Sequence, residues 1–200
     1  MATKFMLGTK GRMTQVFAED GSVKAATLVI AGPLTVTEVK TVEKDGYVAA
    51  QVGFSAQKES HVNKAQKGKP FRHLREFTID GGQLTVGTNV DVSVFAPGDV
   101  VAVSALSKGK GFQGVVKRHG FHGGPRSHGQ KNKERAPGSI GGGGRAGARV
   151  IKGMRMAGRM GGNRITVKNL TVLQVDSATN TLLISGAVPG RSGTLVEIRG

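Results

Sequence analysis

Residues 108–168 read KGKGFQGVVKRHGFHGGPRSHGQKNKERAPGSIGGGGRAGARVIKGMRMAGRMGGNRITVK. This basic stretch holds 15 of the chain's 29 lysines and arginines but only one of its 13 acidic residues, Glu134, and so carries +14 of the formal charge of +16. The rest of the 200-residue chain is nearly neutral. Charge alone therefore separates one strongly basic segment from two flanking segments.

The basic stretch has too little apolar content to fold by itself. It contains 17 glycines and two aromatic residues, Phe112 and Phe121. Burial of so few apolar groups does not offset the entropy lost on ordering the backbone, and the like charges repel one another. A polyanion such as nucleic acid would order the segment, because lysine and arginine neutralise phosphates and release counterions. The alternative is a flexible basic linker, but linkers of that kind are usually rich in serine and close to neutral.

Both flanking segments are typical of short β-strands. Residues 34–42 and 164–175 alternate apolar with polar side chains, as half-buried strands do, and Asp20-Gly21 is a hairpin turn signal. We therefore predict a mainly β protein in which residues 1–107 and 165–200 form one closed β-barrel. Residues 55–75 are predicted to be a small polar insertion into the barrel, and residues 108–164 a long, basic, glycine-rich arm.

Composition excludes several classes of protein. The chain has no cysteine, so neither disulfides nor cysteine-based zinc sites are available. The opening MATKFMLGTKGRM lacks the apolar core of a signal peptide, and no apolar run approaches the roughly 20 residues of a membrane-spanning helix. A membrane-surface helix would need bulky apolar residues on one face, where this stretch has glycines. We expect neither a membrane nor a small-molecule substrate as partner.

Residues 109–114 match the dinucleotide-binding pattern GxGxxG, but their context does not fit a nucleotide site. The apolar run that follows ends at Gly120, too early for a crossover helix, and no isolated acid follows to hold a ribose. A short helix over residues 112–118 is the better prediction. Residues 141–144 resemble a phosphate loop, yet the Lys-Ser/Thr pair of such loops is missing.

Neither a metal site nor a catalytic site is predicted. His119, His122 and His128 have no thiolate or carboxylate to complete a ligand set, and Glu134 is the only acid within reach in sequence. These imidazoles fit base stacking or phosphate binding better. Met154, Met156 and Met160 alternate with cations; they could form a core or pack against sugars and bases, and we favour the second. We expect no cofactor and no enzymatic activity.

Several motifs together resemble the bacterial type of the large-subunit ribosomal protein family numbered three. The similarity begins with GTKGRMTQVF at residues 8–17, continues with SKGKGF and GVVKR at residues 107–112 and 114–118, and includes PGSIG at residues 137–141. It ends with KGMRMAGRMG at residues 152–161 and GAVPG at residues 186–190. These motifs follow one another in the family's order along the whole chain.

The resemblance implies a structural protein of the large ribosomal subunit in the cytoplasm. It implies a barrel of the kind shared with translation factors, direct binding to 23S rRNA, a role in nucleating early assembly, and an arm that reaches toward the peptidyl-transferase centre. Its protein neighbours would be the large-subunit proteins numbered fourteen and nineteen. The residues expected to contact rRNA are Lys10, Arg12, Lys108, Lys110, Lys117, Arg118, His119, His122, Arg126, His128, Lys131, Lys133, Arg135, Arg145, Arg149, Lys152, Arg155, Arg159, Arg164 and Lys168.

The sequence departs from the family's pattern at three points. Gly142–Gly144 stand where many bacterial members carry a glutamine that is methylated in some of them, so that modification is not expected here. Arg145-Ala146 replaces the usual Thr-Pro turn, and His119 replaces a tryptophan found in some members. The last change weakens any aromatic stacking at that position.

Overall fold

The structure is a computed structural model that describes residues 4–18, 20–79, 84–142, 147 and 149–200. The chain divides into two compact units. We call Met1–Ser107 together with Arg164–Gly200 the β unit, and Lys108–Asn163 the basic unit.

Six antiparallel strands of the β unit close into a barrel. In their order around the barrel they are β1 (Phe5–Phe17), β12 (Leu195–Arg199), β7 (Val100–Leu106), β10 (Arg164–Asp176), β11 (Thr181–Ser185) and β2 (Val23–Ala31). Closure pairs every strand on both sides, so the barrel has no free edge. The first and last thirds of the chain both contribute, because β1 pairs with β12 and β10 pairs with β7.

Local sequence signals account for the barrel's hairpins. Strands β1 and β2 pair up to Phe17↔Val23, across the predicted turn, where Gly21 has a positive φ of 77°. The Asp20 carboxylate accepts hydrogen bonds from the Ser22 amide and hydroxyl and so holds the turn. The predicted fold class, mainly β with a closed barrel, is confirmed.

The expectation of a single barrel needs correction, because four further strands form a second antiparallel sheet. In chain order its region contains β3 (Leu34–Lys40), helix α1 (Val42–Asp45), β4 (Ala49–Ala56), β5 (Phe71–Thr78), β6 (Asn89–Val90) and a 3-10 turn at Val92–Val94. The strands lie in the order β5-β4-β3-β6. After β2 the chain turns at Gly32-Pro33, and β3 pairs with β4 instead of with a barrel strand. Strand pairing is a tertiary property, and the alternation of apolar and polar residues does not reveal which sheet a strand joins.

The predicted insertion at residues 55–75 is shorter in the structure. Residues 57–70 form an irregular loop with 3-10 turns at Glu59–His61 and Lys64–Gln66, and residues from Phe71 onward belong to β5. The Phe71 ring lies against Gly53 of β4, where any side chain would overlap it. No helix within the described residues has both the length and the apolarity needed to cross a bilayer.

One hydrophobic core joins the barrel and the second sheet. Phe5 of β1 stacks on Phe77 of β5 with ring centroids 4.6 Å apart, and both side chains are buried. Leu7, Leu182 and Ile198 are fully buried in the same cluster. The two sheets thus stabilise each other by sharing buried apolar surface.

Candidate nucleic-acid interface

The basic unit begins with a short two-stranded ribbon, β8 (Phe112–Gln113) paired with β9 (Gly158–Arg159). Two further backbone bonds extend it: the Lys110 amide donates to the Met160 carbonyl, and the Met160 amide donates to the Gly111 carbonyl, each at 2.9 Å. Gly161 sits beside this ribbon with φ +74°, and a Cβ there would overlap the Lys108 carbonyl oxygen. Only glycine fits that position.

Helix α2 (Val115–His119) follows the ribbon and ends at Gly120, whose left-handed conformation (φ 72°) caps it. The helix begins three residues later than the predicted one. Its five residues are too few for a dinucleotide crossover, in agreement with the interpretation of residues 109–114. Val115 is its buried residue.

Two predicted RNA-binding side chains of α2 bind the returning limb of the basic unit. Arg118 Nη1 donates to the Met156 carbonyl at 2.6 Å, and His119 Nε2 lies 3.0 Å from the same oxygen. A carbonyl oxygen only accepts, so His119 must carry its proton on Nε2 for this hydrogen bond. Both side chains are half-buried and hold the limb ending at Met156 against the helix.

The lone acid of the basic unit fastens a loop. The Gly124 amide donates to the Glu134 carbonyl at 2.8 Å, and Arg126 Nε pairs with the Glu134 carboxylate at 2.7 Å. Gly123 (φ +83°) passes so close to that carbonyl that a side chain would overlap it. We call residues 120–138 the fastened loop. Glu134 therefore serves local structure.

Most of the predicted RNA-binding residues are exposed, as phosphate contacts require. Lys10, Arg118 and His119 are half-buried, and Arg145 lies outside the described residues. The three half-buried side chains are the ones that face backbone carbonyls of their own unit. The exposed residues are Arg12, Lys108, Lys110, Lys117, His122, Arg126, His128, Lys131, Lys133, Arg135, Arg149, Lys152, Arg155, Arg159, Arg164 and Lys168.

In the β unit, the Lys10 side chain binds backbone carbonyls of the same unit. The pairing of β1 with β2 shifts register between Lys10 and Met13, and the Lys10 side chain reaches a distant turn. There Nζ donates to the Val188 carbonyl at 2.6 Å and to the Gly190 carbonyl at 2.8 Å. Its neighbour Arg12 is exposed. Of this predicted pair, Arg12 is thus the one whose side chain faces solvent.

The three histidines do not form a metal site. Among the residues that the structure describes, no group of three or more His, Asp or Glu side chains could hold a metal ion. Met154, Met156 and Met160 are all half-buried. Their exposure is intermediate between the two alternatives that the sequence left open, a buried core and a surface that packs against sugars and bases.

Sequence reasoning considered cations and imidazoles and missed the aromatic Phe112. Its ring is 77% exposed and stands opposite Arg159 in the ribbon. An exposed ring beside a cation suits contact with a nucleobase. The signal was present in the sequence: Phe112 has no apolar residue within two positions, so no apolar face includes it.

Comparison with known proteins identifies the sequences that this chain resembles. A family profile described as "Ribosomal protein L3" matches residues 34–186. The chain is 50% identical over 204 residues to the "Large ribosomal subunit protein uL3" of Acidothermus cellulolyticus, covering 98% of this chain and 91% of that protein. The proteins of the same name from Finegoldia magna and Bacillus thuringiensis are each 47% identical; the matches cover 98% and 99% of this chain and 97% of either relative.

Proposed function

The chain belongs to the ribosomal protein L3 family, and from that membership we propose that the basic unit binds the RNA of the large subunit directly. As a family member the protein is a structural component of the large ribosomal subunit, not an enzyme, and its place is the ribosome in the cytoplasm. The proposals concern what its two units do there.

One observation carries the proposal of direct RNA binding. The basic unit contains 13 lysines and arginines and one acid, yet Val115 is the only buried hydrophobic side chain among its described residues. A unit with this little core and this much like charge gains order from a polyanion. The exposed cations supply the phosphate contacts, which position a protein on RNA without reading sequence.

We propose that 23S rRNA is the partner and that the protein acts early in the assembly of the subunit. A segment that folds on RNA also organises the RNA around it, so the protein would act before the surrounding helices close. Forty-four residues separate the strands β8 and β9, and half of them fully extended reach at most roughly 75 Å. That upper bound allows the segment to extend deep into a subunit, and we propose that it reaches toward the peptidyl-transferase centre. The large-subunit proteins numbered fourteen and nineteen are proposed as neighbours.

The first experiment measures binding of the full chain to purified 23S rRNA as a function of KCl concentration. Two charge-matched triple variants are compared. One replaces exposed cations of the basic unit, Lys131, Arg149 and Lys152, with glutamine; the other replaces Lys58, Lys64 and Lys67, which are exposed on the loop of residues 57–70.

We expect the basic-unit variant to reduce the slope of log K against log salt by up to roughly two to three units, because each of three lost phosphate contacts removes about 0.7 to 0.9. The loop variant should leave the slope nearly unchanged. Equal slopes in both variants would refute the basic unit as the main RNA-binding surface. Binding without any salt dependence would refute the electrostatic mechanism itself.

The proposed direction of the arm needs a separate test. A benzophenone side chain placed at Ser139 and one placed at Lys58 are compared by photo-crosslinking in assembled subunits. We expect the Ser139 probe to label RNA of the peptidyl-transferase centre and the Lys58 probe to label other sites. Labelling of that centre from Lys58 alone would contradict the proposal.

A further inference from the structure

A cleft of about 790 Å³ lies in the basic unit between the end of helix α2 and the fastened loop. Its lining residues include three that carry rings, His119, Phe121 and Pro137, and three that carry polar or charged side chains, His122, Lys133 and Arg155. Flat apolar surfaces and cations thus meet in one concavity. Its volume falls within the usual range of ligand sites, about 300 to 1,000 Å³.

The walls of the cleft are held by bonds inside the basic unit. His119 is anchored by its hydrogen bond to the Met156 carbonyl, and its ring lies 6.0 Å from the Phe121 ring at an angle of 44°. In the fastened loop, which supplies other lining residues, the Gly124 amide donates to the Glu134 carbonyl and Arg126 pairs with the Glu134 carboxylate. These bonds define the shape that the concavity has in the structure.

Charge restricts what the cleft accepts. Lys133 and Arg155 line it, and the one acid of the unit, Glu134, is paired with Arg126. An anionic group is favoured beside the cations, and a flat group beside the rings. A nucleotide contains both a flat group and an anionic group. Its base would pack against the rings of His119 and Phe121, and its phosphate would bind Lys133 and Arg155.

We infer that the cleft holds one unpaired nucleotide of the RNA, with its base against Phe121 and its phosphate at Arg155. The inference rests on the proposed function, since the nucleotide comes from the RNA that the basic unit binds. Binding a base in the cleft has a consequence that phosphate binding alone does not have. The protein then prefers RNA that presents an unstacked base. Proteins commonly read RNA through such splayed bases stacked on aromatic rings.

The test uses the full chain and two RNA hairpins that differ at one bulged position. One hairpin carries a bulged adenosine and the other an abasic residue at the same place, so their phosphates are equal in number. We expect about tenfold tighter binding of the adenosine hairpin, which corresponds to about 1.4 kcal/mol, because the base can stack on an aromatic ring. Equal affinities with a normal salt slope would overturn this inference alone. Loss of salt-dependent binding to both hairpins and to 23S rRNA would overturn the proposed function.

Two matched pairs of variants locate the base. Phe121→Ala should abolish the preference for adenosine, whereas Phe112→Ala, which removes an exposed ring outside the cleft, should retain it. The opposite result would place stacking at Phe112 and refute the cleft. Because Phe121→Ala could disturb the loop, Arg155→Gln is compared with Arg149→Gln. Both should lower the salt slope equally, but only Arg155→Gln should weaken the preference.

Free nucleotide is tested separately as the source of the ligand. AMP is titrated into the full chain at moderate salt, with inorganic phosphate as the control. We expect no saturation by AMP below the millimolar range, because the RNA supplies additional phosphate contacts that AMP lacks. Saturation by micromolar AMP that Phe121→Ala removes would show a free-nucleotide site and overturn the RNA source.

Discussion

Arg164, the first residue of β10, donates a hydrogen bond through Nη2 to the carboxylate of Glu197 on β12. The other carboxylate oxygen accepts from Arg75 Nε of β5 at 2.9 Å. Arg164 pairs with Leu106 and Glu197 with Ser104 on the intervening strand β7, so the first bridge crosses β7 diagonally. One acidic side chain thereby ties the second sheet and two barrel strands together.

The first prediction concerns this bridge. Glu197→Gln should lower the free energy of unfolding by about 1 to 2 kcal/mol, because the Glu197 side chain is only 13% exposed while both arginines are about half exposed and partly screened by water. Chemical denaturation followed by far-UV circular dichroism measures the change. Glu43→Gln, at an exposed position of α1, is the control and should change stability by less than about 0.5 kcal/mol. Equal stabilities of the two variants would contradict the prediction.

The second prediction separates Lys10 from Arg12, the two cations of strand β1. Lys10→Met should destabilise the β unit by about 1 to 3 kcal/mol, because the carbonyls of Val188 and Gly190 lose a charged donor. Arg12→Met removes the same charge from an exposed position and should cost less than about 0.5 kcal/mol. Thermal unfolding of both variants at one salt concentration tests this. A larger loss in Arg12→Met would show that the lysine contacts are not stabilising.

The third prediction follows from Asp99. The Ala96 amide and the Lys4 ammonium both donate to its carboxylate, at 2.9 and 2.6 Å, and lower its pKa below the usual value of about 3.9. Because the folded-state pKa lies below the unfolded one, the ionised carboxylate stabilises the fold above about pH 4. That contribution disappears as the pH falls through the lowered folded-state value.

Asp99→Asn should therefore be less stable than the wild type at pH 7, and the difference should shrink as the pH falls below about 4. Urea denaturation between pH 7 and pH 2.5 gives both curves. Asp91→Asn, at an exposed position nearby, serves as the control and should follow the wild-type curve. A difference that stays constant from pH 7 to pH 2.5 would contradict the lowered pKa.

The fourth prediction concerns the ribbon at the start of the basic unit. Gly161→Ala should open it, because the new Cβ overlaps the Lys108 carbonyl and the residue is held at φ +74°. Gly153→Ala is the matched control: its φ is +83°, but the space around it is open. Amide hydrogen exchange at Lys110 and Met160 reports the opening directly, since both amides donate within the ribbon. We expect at least tenfold faster exchange in Gly161→Ala than in Gly153→Ala, and equal rates would refute the steric argument.

Lys10 and Arg12 of strand β1 differ in a way that the sequence does not show. Lys10 and Arg12 have the same charge and are two positions apart, so composition treats them alike. The structure separates them, because the carbonyls that Lys10 contacts lie 178 and 180 residues further along the chain. Arg118 and His119 likewise depend on Met156, 38 and 37 residues away.

By itself the sequence determined the mainly β class, the hairpin at Asp20-Gly21 and the position of the basic stretch. Alternation, turn chemistry and charge density are local properties that each residue carries with it. Tertiary structure alone decided that β3 to β6 form a separate sheet, which cations donate to a backbone carbonyl, and that Phe121 and Arg155 line one cleft. These depend on partners far apart in the chain, and only the folded backbone brings such partners within hydrogen-bonding or van der Waals distance.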